Sequence, residues 1–255
     1  MSTGAWDAAA AAFLECVEGF RRADNMGLVV TNLAGAASAL CYAGRFTDAV
    51  PVATEGLALA RALGMPRHIN ECLIALAQAL SRQDPERASA LLDEAGHQNL
   101  EYEAYSELIR ITLAAAMISD WPLTARFATR SIPHAHWMNH RPYLHGVLTV
   151  SARALADTDP EAAATIQGAA HTLMITATPT TTPAAASQAA PPGEPANGPN
   201  LFVETRRETT GILVDAIGRE GLHELRERGA ALDTDSAVAY TLSRLAAYLT
   251  NTDET

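Results

Sequence analysis

The segment "SIPHAHWMNHRPYLH", Ser131 to His145, carries four of the eight histidines of the chain: His134, His136, His140 and His145. Imidazole nitrogens bind zinc and related metals, and a zinc site asks for three or four such groups in tetrahedral array. His134, His136 and His140 are therefore the residues on which a metal-dependent enzyme or a metal-binding protein would be built. Two features weigh against that reading. No carboxylate lies between Ser131 and Ala156 to complete a ligand set. Pro133 and Pro142 bracket the segment, which predicts a loop followed by a helix beginning near Arg141, with His145 in its first turn. The competing reading is a polar connector between two helices, with Trp137 and Tyr143 packed inward.

Other chemistry finds less support. There is no G-x-S-x-G elbow to carry a nucleophile and no G-x-x-x-x-G-K-[ST] phosphate loop. All 18 basic residues are arginine, so the lysine of such a loop is missing outright. Paired acids such as Asp233 with Asp235, or Glu101 with Glu103, fit helix starts, where carboxylates meet free amides. "GREG", Gly218 to Gly221, reads as a turn between helices. The expectation is a protein that is not an enzyme, with no catalytic residue, cofactor or metal.

Composition narrows the field further. The 255 residues are 48% hydrophobic but only 5% aromatic, and alanine supplies most of the apolar count. Such a chain favours helices in close contact. A formal net charge of −11 repels phosphate backbones, so direct nucleic-acid binding is not expected. Cys16, Cys41 and Cys72 are odd in number and set among apolar residues, the pattern of buried thiols in a reducing compartment. Asp7 and Glu15 flank the first alanine run, which does not support a secretory signal. The uncharged stretch Met26 to Gly44 holds Thr31, Asn32, Ser38 and three glycines, and reads as a buried helix, not a membrane span. A cytoplasmic location follows as the expectation.

These residues must be positioned by helices, and the helices repeat. Leu33, Ala37 and Leu40 recur at helical spacing, Gly44 punctuates, Phe46 follows, and Ala49, Val52, Ala53 and Leu57 stripe a second helix. The same start of a second helix returns at Asp84-Pro85 with Ala88, at Asp120 and Pro122 with Ala125, and at Asp159-Pro160 with Ala163. Ala49, Ala88, Ala125 and Ala163 follow one another at intervals of 39, 37 and 38 residues. Four helix pairs are expected, preceded by a helix with Phe13, Val17 and Phe20 on one face. Residues 178–200, rich in Pro, Ala and Thr, predict a flexible loop. Helices resume over Leu201 to Ile217 and Glu220 to Arg228, and a last helix capped by Asp233 to Ser236 puts Val238, Leu242, Leu245, Ala246 and Leu249 on one face.

The first unit resembles a tetratricopeptide repeat, with Ala37, Gly44, Phe46 and Ala49 at the small, turn, aromatic and packing places. From Arg153 to Leu249 the chain resembles the C-terminal end of large bacterial signal-transduction ATPases and transcription regulators. The resemblance rests on "DPEAAATIQGAAHTLM" and on "RRETTGILVDAIGREGLHELRERGAALDTDSAVAYTL". Its matching residues are Asp159, Pro160, Glu161, Ala163 and Gly168 to Ala170, then Gly218, Leu222, Leu225, Gly229, Ala230, Leu232 and Ala237 to Ala239. Members of that family carry a nucleotide-hydrolysing switch domain, and often a cyclase or a LuxR- or SARP-type DNA-binding domain, ahead of a helical array.

The resemblance implies an all-α fold: a right-handed α-α superhelix of tetratricopeptide-like helix pairs over residues 1–177, the loop 178–200, a C-terminal helical cap over 201–250 packed on the array, and a disordered tail, 251–255. It implies a non-catalytic interaction or sensor module, either a stand-alone protein or a truncated C-terminal part of a regulator. Its partner would be a protein or peptide on the concave face, an ATPase switch domain among the options, with no membrane involved. Asn32, Asn70, Glu71, Tyr102, Tyr105 and Glu107 are the expected lining residues of that face.

Overall fold

The computed structural model describes residues 3–101, 105–176 and 199–253. All regular structure among them is α-helix: α1 (Thr3–Arg22), α2 (Met26–Tyr42), α3 (Phe46–Ala62), α4 (Pro66–Leu80), α5 (Pro85–Glu101), α6 (Tyr105–Met117), α7 (Trp121–Trp137), α8 (Arg141–Leu155), α9 (Pro160–Thr176), α10 (Pro199–Ala230) and α11 (Thr234–Asp253). The chain divides into two compact units, one holding α1 to α5 and the other α6 to α11. That boundary falls within the stretch 1–177. Of the segment 178–200, residues 178–198 lie outside the described residues, and Pro199 and Asn200 open α10. Residues 251–253, expected in a disordered tail, continue α11.

Local signals set the helix starts. Asp84, Asp120, Asp159 and Asp233 each accept a hydrogen bond through a side-chain oxygen from a backbone amide three residues on, at 3.1, 2.9, 3.1 and 2.7 Å. An orphan amide of the first turn is thereby satisfied, at a typical gain of about 1 kcal/mol for a half-buried cap. Several turns close in the left-handed region: Asp24, Gly44, Gly64, Ser119 and Asn139 all have positive φ. Gly44 thus does what its place after α2 predicts.

Alanine then lets neighbouring helices approach. Ala49, Ala88, Ala125 and Ala163, near the starts of α3, α5, α7 and α9, are all fully buried. In the first unit α2 packs on α1, α3 and α4, and α4 on α3 and α5. Met26 to Tyr42 is accordingly a core helix, with Val29, Val30, Leu33, Ala37 and Leu40 buried. No helix among the described residues is long and apolar enough to cross a membrane. Of the three cysteines, Cys41 and Cys72 are buried, but Cys16 is exposed on α1, contrary to the expectation for all three.

The second unit is organised around Ile109, Ile132, Leu144, Leu148, Leu155, Ile166 and Leu213, with α11 laid against α7, α8 and α9. On α11, Val238 and Leu245 turn inward as expected, whereas Ala246 faces out and Thr241 is buried. Two glycines set the closest approach. A Cβ on Gly168 of α9 would lie 2.1 Å from the carbonyl oxygen of Arg226, and one on Gly229 of α10 would lie 1.8 Å from that of Thr165. Neither position takes a side chain unless the helices move apart, because at each the obstacle is the partner helix's backbone, which cannot rotate away as a side chain could. α10 itself is broken at Gly218, where φ is 73° and ψ is 170°.

Candidate functional site

The histidine segment is more ordered than a connecting loop. α7 runs through Pro133 to Trp137, so His134 and His136 stand on its last turns. The helix survives an internal proline because its inner face, Ser131, Ile132 and Ala135, is fully buried, and tertiary packing outweighs one lost backbone bond. α8 begins at Arg141 as expected, and the cap is a histidine: His140 Nδ1 accepts from the Tyr143 amide at 3.2 Å while its ring stacks on Tyr143.

Each histidine faces a different neighbour. His134 lies beside the Trp137 ring, with centroids 6.0 Å apart. His136 Nε2 is 3.0 Å from the Asp235 carboxylate at the start of α11. His145 is half-buried against Phe202, and its Nδ1 donates to the Ala170 carbonyl oxygen of α9 at 2.9 Å. Burial above all lowers the pKa of His145, opposed by that hydrogen bond. Among the described residues no three His, Cys, Asp or Glu side chains converge as a metal site would need. His134, His136 and His140 are not drawn together.

Trp137 was expected to pack inward and does not. It is 81% exposed, next to Met138 at 45%, while Tyr143 does pack against the core. The corner between α7 and α8 therefore shows solvent a large aromatic ring whose backbone is held from beneath by Ile132, Ala135 and Leu144.

The residues expected to line a partner face are differently placed. Asn32, half-buried on α2, turns its Nδ2 to the Leu28 carbonyl at 2.7 Å. Asn70 on α4 is 3% exposed and offers a partner almost no surface; its Oδ1 finds no hydrogen-bond partner among the described residues. Glu71 pairs with Arg67 at 3.3 Å, and Glu107 with Arg110 at 2.9 Å. Tyr105 opens α6, and Tyr102 lies outside the described residues.

Two further clusters went unnoticed in the sequence. Arg153, nearly buried on α8, pairs with Asp157 at 2.8 Å and Glu208 at 2.7 Å while its guanidinium lies 4.6 Å over the Trp121 ring. Gln167 on α9 joins both arms of α10: its Nε2 donates to the Arg206 carbonyl and Thr210 hydroxyl at 3.3 Å, and its Oε1 accepts from Arg226 Nε at 2.8 Å. The only sequence signal for this node was a glycine within each of two helices, a costly choice in a helix interior unless a neighbour requires it.

Comparison with known proteins finds no matching family model, no matching curated protein and no matching solved structure.

Proposed function

We propose that the chain is a non-catalytic interaction or sensor module, a tetratricopeptide-like helical array with a C-terminal cap, that serves a cytoplasmic signal-transduction or transcription-regulatory ATPase system. It works either as a stand-alone protein or as the C-terminal part of a longer regulator. One observation carries the reading: Trp137, a large aromatic ring, is exposed on a corner where His136 reaches Asp235 of α11 and His140 caps α8. Exposed tryptophan on a rigid support is characteristic of the anchors that dominate protein interfaces. The resemblance of residues 153–249 to the C-terminal arrays of such regulators supports the choice of system. A protein partner seated on Trp137 and Met138 meets the C-terminal end of α7, which His136 ties to α11 through Asp235. Binding there biases the position of α11, the element through which the module signals.

The test is affinity capture with the intact chain and with Trp137→Ala, followed by titration calorimetry of the purified captured protein. Loss of a central aromatic anchor costs about 2 kcal/mol or more, so the variant should bind roughly 30-fold more weakly. Equal affinity for the two proteins, or ATP turnover by the isolated chain, overturns the reading.

A further inference from the structure

The break at Gly218 does more than bend α10. Beyond it, the second arm carries Arg226 onto the first, where a terminal nitrogen of its guanidinium donates to Thr210 Oγ1 at 2.6 Å and, with Nε, to Gln167 Oε1. A groove of about 570 Å³ opens between the arms. Arg207 and Asp215 of the first arm and Arg219 and Arg226 of the second line it, and Val214 and Leu222 supply apolar wall.

Arg226 is the anomaly. Two other arginines of this unit that are withdrawn from solvent have carboxylates: Arg153 has Asp157 and Glu208, and Arg110 has Glu107. Arg226 is also withdrawn from solvent, yet its acceptors, Gln167 and Thr210, are neutral, and among the described residues it makes no ion pair. Its Nη1 makes no hydrogen bond among those residues. Burial, and behind it the charge of Arg206, lowers the Arg226 pKa, as expected for a cation short of an anion. A half-buried charge without a counter-charge is costly, and it persists where packing enforces it or where a ligand completes it. Packing does enforce it here. The glycine crossing at Gly168 and Gly229 fixes the Arg226 backbone against α9, so the side chain cannot swing out with its helix.

Arg207 and Arg219, both exposed, likewise make no ion pair among the described residues. The break removes Arg219 from the helical register that would have set it beside Asp215. Three arginines thus line one groove with one aspartate, an excess of two positive charges on a chain of net charge −11. His223, also on the groove wall, is engaged with Glu227 at 3.3 Å.

We propose that the groove at the break in α10 binds a small-molecule phosphate monoester, its phosphate held by Arg226, Arg207 and Arg219 and its organic part lying against Val214 and Leu222. A phosphate monoester carries about −1.5 to −2 charges at neutral pH, which matches the excess, whereas a single carboxylate leaves it half-neutralised. Guanidinium forks suit phosphate oxygens geometrically as well as in charge. The groove volume falls in the range of about 300–1,000 Å³ usual for small ligands. The long-range field of an acidic chain disfavours a polyanion. The site lies on α10 and stands whether or not a partner uses Trp137.

Titration calorimetry of the intact chain with phenyl phosphate tests this, with the Arg226 Nε–H resonance followed by NMR. The expected result is saturable binding that moves that resonance. Arg207→Ala with Arg219→Ala, both exposed and so compatible with an unchanged thermal midpoint, should weaken it at least tenfold, and Asp215→Asn should tighten it about threefold. The proposal is overturned if phenyl phosphate does not bind, if the double variant binds it equally, or if benzoate binds as tightly. Binding more than tenfold tighter to a phosphotyrosine peptide, or to vesicles containing phosphatidic acid, likewise overturns it by assigning the groove to a protein or a membrane.

Discussion

Gly229→Ala probes the crossing on which the second unit depends. The added Cβ would stand 1.8 Å from the Thr165 carbonyl oxygen and 3.1 Å from the Ala169 amide nitrogen. Both are backbone atoms of α9, so the second arm of α10 has to recede by about 1.6 Å, the shortfall from the 3.4 Å at which ordinary contact begins. A displacement of that size along the contact takes Arg226 Nε, now 2.8 Å from Gln167 Oε1, beyond hydrogen-bond range. Forced overpacking costs about 1–3 kcal/mol, and losing a charged hydrogen bond about 1.5–3 kcal/mol. The helix propensity of alanine returns about 1 kcal/mol. The net loss is about 3 kcal/mol, or a melting temperature lower by roughly 6–12 °C for a chain of this size. Urea unfolding followed by circular dichroism measures it. Gly211→Ala is the control: nothing lies within 4 Å of its Cβ position, so stability should hold or rise by up to about 1 kcal/mol. Because one displacement relieves both clashes, Gly168→Ala with Gly229→Ala should cost less than the two single changes added. A loss below about 1 kcal/mol for Gly229→Ala, or strict additivity in the pair, would refute the reasoning.

Two other outcomes follow from burial. The pKa of His145 is lower folded than unfolded, so the unfolded chain binds the proton more readily, and stability contributed by neutral His145 is lost as pH falls below about 6.5. Arg206 and His171 act in the same direction as burial, and the Ala170 hydrogen bond against it. Urea midpoints at about pH 5 and pH 7.5 should therefore differ less in His145→Gln than in the wild type; an undiminished difference excludes His145 as its source. Burial raises the thiols of Cys41 and Cys72 to about 12, the Glu71 charge adding to the effect at Cys72, whereas Cys16 is exposed. Iodoacetamide on the native protein should label Cys16 alone and on the unfolded protein all three; rapid native labelling of Cys41 or Cys72 contradicts the burial described.

Much of the scaffold was legible because its signals are local. An aspartate immediately before the first turn caps a helix through its own side chain, and Asp84, Asp120, Asp159 and Asp233 all do so. The interval between packing alanines identified the second helix of each pair, since a buried, close helix contact constrains that one side chain. Less of the functional surface could be read. A proline normally argues for a helix end, and only the burial of Ser131, Ile132 and Ala135 shows why α7 continues through Pro133 and turns Trp137 outward. Asn70 illustrates the converse: a polar residue at an apparent helix surface proves to be inside.

The sequence by itself determined an all-helical fold, the helix starts capped by Asp84, Asp120, Asp159 and Asp233, the left-handed turn at Gly44 and the positions of the packing alanines, because each depends on residues within a turn or two of one another. Tertiary structure alone decided that Asp235 reaches His136, that Gly168 and Gly229 bring two backbones together, and that Arg207, Arg219 and Arg226 share one groove. In each case the partners are separated along the chain by a helix, a break or a long connection. Their meeting depends on how helices cross, which no local preference specifies.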